Sequence, residues 1–161
     1  MAMVTPVDHI IGGDEENTGA LNEMTTAARE FITSHPWCPP IRAIHLAGGV
    51  VGIIALFLIE FDGKARGKDD RLWVVVGDLT SCHMVVKPND TPQGVLEGYC
   101  EIIDEWISAM MNSEKFDNIY PVAIPEVANF VNSLRFKLDF VRKHIIPRMP
   151  AYAVGHAMFD P

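Results

Sequence analysis

Two apolar runs, Val50-Val51-Gly52-Ile53-Ile54-Ala55-Leu56-Phe57-Leu58-Ile59 and Leu72-Trp73-Val74-Val75-Val76, constrain this chain more than anything else in it. The first stops at Glu60, too short for the roughly 20 apolar residues that a membrane-spanning helix requires. Both are of strand length and rich in β-branched and aromatic residues. Neither alternates between apolar and polar, so as strands they are greasy on both faces, as central strands with cover on both sides are. A sheet built on them needs a layer of structure above and another below.

The segments on either side of these runs do alternate. From Arg42 to Leu46, Ile44 and Leu46 fall on one face with Ala43 and His45 on the other; from Cys82 to Lys87, Cys82, Met84 and Val86 oppose His83 and Val85. Alternation marks half-buried edge strands. The order that follows is an antiparallel meander of about four strands over residues 42–47, 50–60, 71–77 and 82–87. Gly48-Gly49 can supply the positive φ angles of a tight type I′ hairpin between the first two, and the charged, glycine-bearing stretch Asp62 to Arg71 connects the second to the third.

Three helices complete the pattern. Leu21, Met24, Ala28, Phe31 and Ile32 recur at helical spacing, which predicts a helix over 18–34 that Pro36 and Pro39-Pro40 end, leaving Trp37-Cys38 in a rigid connector. Thr91-Pro92 offers an N-cap with proline in the first turn, ahead of the stripe Val95, Tyr99, Ile102, Ile103, Trp106, Ile107 and Met110, which predicts a helix over 92–112. Val127, Val131, Leu134, Leu138, Val141 and Ile145 predict a third over 125–146, stopped by Pro147, with Arg142 and Lys143 suited to its C-terminal dipole. The expected fold is α+β, one domain over residues 1–161. Residues 1–17, with Asp8, Asp14, Glu15 and Glu16, read as a flexible acidic tail. Residues 148–161 carry Met149, Tyr152, Val154, Met158 and Phe159 and are expected to dock on the domain or on a partner.

A chain of 161 residues is the size of a single core. Its net charge of −8 repels phosphate backbones and anionic lipid, so nucleic acid and membrane are not expected partners. Cys38, Cys82 and Cys100 are odd in number and widely spaced, without a CxxC pair, which argues against a disulfide framework or a zinc finger and for reduced thiols in a cytoplasm.

Candidate chemistry is sparse. Gly48-Gly49-Val50-Val51-Gly52 matches neither phosphate-binding fingerprint and precedes a strand rather than a helix. The loop from Asp62 has Lys64 and Arg66 where calcium ligands would stand. His45 and His83 both project onto the Trp73 and Val75 face if the four strands alternate in step. In a 1-2-3-4 order they lie roughly 14 Å apart, too far to share a metal. His35 and Cys38 flank Trp37 and could pair imidazole with thiol, although nothing in the sequence supplies a third group. Asp78, at the end of a central strand behind Gly77, is the best single polar candidate, since a carboxylate there can face a ligand while the sheet holds it rigid; an Asx turn explains it equally well. Trp37, Trp73 and Trp106 all read as buried anchors. No catalytic residue, metal or cofactor is expected. The candidate ligand-binding residues are Asp78, Trp37 and Cys38.

The chain resembles a bacterial protein family of similar length to which no activity is assigned. The resemblance lies in Phe31 to Trp37-Cys38, Gly48 to Gly52, Leu72 to Asp78-Leu79, Thr91-Pro92 with Tyr99 and Trp106, and Leu138-Asp139-Phe140 before Ile145-Ile146-Pro147. In that family Gly-Asp-Leu is followed by prolines and an aromatic, where this chain has Thr80-Ser81-Cys82-His83. It implies no activity, cofactor or site residue.

Apolar surplus without a reactive constellation points to a non-catalytic interaction protein inside the cell. Such a protein is expected to self-associate, as a homodimer or larger, and to bind a protein partner in the manner of immunity proteins. The alternative is a small-ligand site or an enzyme at Gly77-Asp78-Leu79 and Trp37-Cys38.

Overall fold

The centre of the sheet is the pair β3 (Ile54–Ala65) and β4 (Asp69–Gly77) in the computed structural model, which describes residues 5–6, 15–50, 52–65, 69–112 and 124–149. From Ile54 to Ile59 and from Leu72 to Val76 every side chain on both strands is buried, whichever face it points to. β2 (Ile41–Val50) lies antiparallel outside β3, and β5 (Cys82–Val85) antiparallel outside β4. The expected meander is there. A further two-residue strand, β1 (Thr5–Pro6), pairs with Leu46 and His45 on the outer side of β2, so the order is β1-β2-β3-β4-β5. The leading segment, read as a tail, therefore contributes an edge strand, and the first helix begins before residue 18.

Among the described residues three helices pack on this sheet: α1 (Glu15–Thr33), α2 (Pro92–Asn112) and α3 (Ile124–Phe140). A five-residue π-helical turn (Val141–Ile145) and a 3-10 turn (Ile146–Arg148) extend α3. α1 lays Met24, Ala28 and Ile32 on the face made by Ala55, Phe57, Ile59, Leu72, Val74 and Val76. α2 and α3 bring Leu96, Tyr99, Ile103, Val131 and Leu138 onto the opposite face, against Leu56, Leu58, Trp73 and Val75. Both apolar faces of the sheet are thus covered by the chain's own helices. The uncovered sheet that suggested self-association is absent, because the helices divide one and two between the faces instead of sharing one.

Local chemistry explains most element boundaries. α2 starts as predicted: Gly94 N–H donates to Thr91 Oγ1 at 2.9 Å, and Val95 N–H to Thr91 O at 2.9 Å. The indole N–H of Trp73 donates to Asp90 Oδ2 at 3.0 Å, which ties the turn before α2 to the sheet. The first hairpin differs from expectation. Gly48 and Gly49 lie inside β2, where the register slips between Leu46 and Gly48, and the chain turns at Gly52-Ile53, with Ile53 N–H donating to Val50 O at 2.9 Å. Gly49 serves a close approach rather than a turn: a Cβ on it would fall 2.2 Å from Ile54 O.

The helical stripes need one correction. Val95, Tyr99, Ile103, Ile107 and Met110 are buried, whereas Ile102 and Trp106 at the stripe's margin are 42% and 40% exposed. Trp106 is not a core anchor. On α3 and its extension Val131, Leu134, Leu138, Val141 and Ile145 are buried as predicted, Val127 falls outside the described side chains, and Phe130, Phe136 and Phe140 point outward. The C-terminal segment is described to Met149, which is buried; residues 150–161 lie outside the described residues. Among the described residues no helix is long and apolar enough to cross a membrane.

Candidate functional site

Asp78 follows β4 at the end of the sheet where β2 turns into β3, and its N–H donates to Ile53 O at 2.7 Å. That bond and Gly77 fix its backbone, but its side chain is 69% exposed and forms an ion pair with Lys137 of α3 at 3.3 Å. A hollow of about 380 Å³ opens beside it, lined by Leu79, Thr80, Phe130, Ser133 and Lys137 as well as Asp78. A second, of about 290 Å³, lies on the α1 side between Glu23, Met24 and Gly52. The first offers one anion, one cation, two hydroxyls and an aromatic ring to a small polar molecule. An ion pair this open to water is worth little in itself.

Trp37 and Cys38 are elsewhere. Neither lines either hollow, and Pro39 beside them packs against Gly63 toward the other end of β3. Between Ile54, opposite Gly77, and Glu60 the strand runs six residues, roughly 20 Å. The three candidate residues are therefore not brought together.

Trp37 instead belongs to a ring cluster that the sequence did not reveal. Its indole lies 4.8 Å from the His35 ring and 5.2 Å from His83, with the two imidazoles 5.0 Å apart at 88° and Phe31 5.1 Å from His35. His83 reaches it because it pairs with Val74, which faces α1. The expectation that His45 and His83 share the Trp73 face is wrong for His83: Met84 is opposite Trp73, one residue along. His45 does point to the Trp73 side, through Leu58, and its Nε2 lies 2.8 Å from Glu60 Oε2, while Glu60 Oε1 pairs with Arg42 at 3.4 Å.

The imidazole and thiol at 35 and 38 do not make a nucleophile. His35 Nδ1 is 3.0 Å from Phe31 O and closes the end of α1, while Cys38 Sγ donates to Pro39 O at 3.2 Å. Burial pushes the Cys38 thiol up, which depletes the thiolate that a nucleophile requires. Alkylation of Cys38 by iodoacetamide at pH 8 should therefore be several-fold slower in folded than in urea-unfolded protein, read by peptide mass spectrometry. Equal rates would restore an accessible thiolate.

Burial likewise raises Cys82, and it lifts Cys100 to about 11, with Asp104, Glu97 and Glu101 adding to the rise and Arg142 opposing it. Tyr99 is raised by burial first and then by Cys82 and Cys100, and its hydroxyl donates to Thr80 O at 2.6 Å. Among the described residues there is no group of three or more His, Cys, Asp or Glu placed to hold a metal ion.

The outer face of the helix layer is the other feature missed. Trp106 of α2 and Phe130 of α3 meet edge to face, ring centroids 6.3 Å apart, while each stays 40–50% exposed, and Phe136 is 75% exposed. The charges around them are segregated. α2 carries Glu97, Glu101, Asp104 and Glu105 with no lysine or arginine, whereas residues 124–149 carry Arg135, Lys137, Arg142, Lys143 and Arg148 against Glu126 and Asp139. Among the described residues an ion pair, Arg142 with Asp104, joins the two sides. Phe130, Phe136 and Phe140 stand off the stripe that buries α3, which is the sequence signal that could have marked this face.

Comparison of the chain with protein-family models, with curated proteins and with solved structures found no match.

Proposed function

We propose that this chain is a non-catalytic interaction protein that self-associates through the outer face of its helix layer. The observation that carries this reading is the exposed Trp106–Phe130 pair set between an acidic helix and a basic one. A two-fold contact places the same patch on both copies, so α2 of one can lie over α3 of the other with opposite charges facing and the aromatics at the centre. Exposed tryptophan and arginine are the residue types that dominate such contacts. The raised thiol pKa values work against a cysteine nucleophile at 38, 82 or 100. Three free cysteines favour a reducing, cytoplasmic setting.

Sedimentation equilibrium from 1 to 200 µM tests this. Wild-type protein should dimerise, Trp106→Asp should weaken the dimer at least 30-fold, as loss of a central aromatic anchor does, and raising NaCl from 0.05 to 0.5 M should weaken it as well. Wild-type protein that stays monomeric at 200 µM would end the proposal.

A ligand site at the Asp78–Lys137 hollow is the second reading, favoured by its volume and by the placing of both charges with Ser133 and Phe130. It predicts melting-temperature shifts with small zwitterionic or anionic metabolites that Asp78→Asn or Lys137→Met abolishes.

A further inference from the structure

The hollow beside Asp78 presents one carboxylate and one ammonium side by side, and each stands on a rigid support. Asp78 is fixed through its N–H on Ile53 O at 2.7 Å, and the connector after it through Thr80 O, which accepts from the buried Tyr99 hydroxyl at 2.6 Å. Lys137 projects from α3 between Leu134 and Leu138, both of which are buried. Phe130, Ser133 and Lys137 are three and four residues apart, so they share one side of that helix, and all three line the hollow.

Charge sorts the ligands such a place accepts. A purely anionic molecule is drawn to Lys137 but repelled by the Asp78 carboxylate 3.3 Å from it, and a plain amine meets the reverse. A molecule with both charged groups on one carbon satisfies both side chains at once, ammonium on Asp78 and carboxylate on Lys137, in a ring of four alternating charges. Opening the existing pair to admit it costs little, because the two side chains are 69% and 37% exposed. Size narrows the choice further. About 380 Å³ is at the lower end of ligand pockets, room for a single amino acid rather than a nucleotide. The hydroxyls of Thr80 and Ser133 can bond the polar head, while Leu79, Leu134 and Phe130, whose ring also packs edge to face on Trp106, form an apolar wall.

We infer that the hollow binds a free α-amino acid with an apolar side chain, its head between Asp78 and Lys137 and its side chain against Phe130 and Leu79. This rests on reading the hollow as a ligand site, and it narrows that site from zwitterions and anions in general to one head group and one kind of side chain.

Calorimetric titration of the full chain with four compounds tests this: L-leucine, glycine, 4-methylpentanoate, which is leucine without its ammonium, and 3-methylbutylamine, which is leucine without its carboxylate. L-leucine should bind at least tenfold tighter than each of the other three. Asp78→Asn and Lys137→Met should each weaken L-leucine at least tenfold, with melting followed by far-UV circular dichroism to check that these exposed substitutions keep the fold. Phe130→Ala should bring L-leucine to within threefold of glycine, by removing the apolar wall and leaving the charged head its partners. Binding of 4-methylpentanoate as tight as that of L-leucine would overturn the inference while leaving the hollow an anion site. Heat from none of the four compounds would overturn both the inference and the ligand-site reading.

Discussion

Trp73→Ala should lower the unfolding free energy by about 4 kcal/mol, the middle of the range for deleting a buried tryptophan, and the melting temperature by roughly 8–16 °C. Trp73 is fully buried on β4, paired with Leu58 and Met84 across the sheet, in the cluster that contains Val95, Tyr99 and Ile103 of α2. Two effects add. The lost side chain leaves a cavity between rigid layers that cannot collapse onto it. Its N–H bond to Asp90 also disappears, although Asp90 Oδ2 keeps Lys87 N–H at 2.8 Å. Trp73→Phe separates the two: it keeps most of the ring volume and should cost about 1–2 kcal/mol. Urea unfolding followed by far-UV circular dichroism reads both variants. A loss under about 1.5 kcal/mol for the alanine variant would mean that α2 does not close on the sheet as described.

How far the sequence reveals this architecture depends on how local each signal is. The runs at 54–59 and 72–76 are continuous, so both central strands and their two buried faces are legible without register. The Thr91-Pro92 cap is legible for the same reason, because its bonds close within three or four residues. Register is another matter. Placing His83 beside Trp37 requires knowing that the chain from Asp78 to Ser81 brings Met84, not His83, opposite Trp73, and a slip of one residue exchanges the faces. Gly48-Gly49 carries a strong turn signal, yet the pair continues β2 opposite Leu56 and Ala55, and the turn is left to Gly52 and Ile53. The division of helices between faces sets the fate of the apolar surplus. With one helix on the α1 face and two on the other the sheet is closed, and what stays exposed is the margin of the helix stripes: Ile102, Trp106, Phe130 and Phe136. Of the site candidates, the place of Asp78 at a strand end is legible. Its partner Lys137 comes from α3 across the core, and its separation from Trp37-Cys38 follows from strand length and connector path, neither of which residue types encode.

Gly77→Ala should cost about 3 kcal/mol and roughly 6–12 °C in melting temperature. Gly77 has φ +148, a conformation that side-chain-bearing residues rarely adopt, and a Cβ on it would stand 2.2 Å from Ile53 O and 2.7 Å from Ile54 Cα. Neither obstacle is a flexible side chain. Both are backbone atoms of the β2–β3 turn, and Asp78 N–H donates to the same Ile53 oxygen, so relief requires moving the turn and losing that bond. The strain therefore travels from the end of β4 into the start of β3 and displaces Asp78 from Lys137. Gly19→Ala is the control. It sits within α1 with nothing inside 4 Å of its added Cβ, so the same chemical change there should stabilise by up to about 1 kcal/mol through helix propensity. The pair predicts opposite signs for one methyl group in one protein. Should both variants melt within 2 °C of wild type, the close packing of Gly77 on the β2–β3 turn would be disproved, and with it the claim that the backbone, rather than the Asp78 side chain, fixes this corner of the fold.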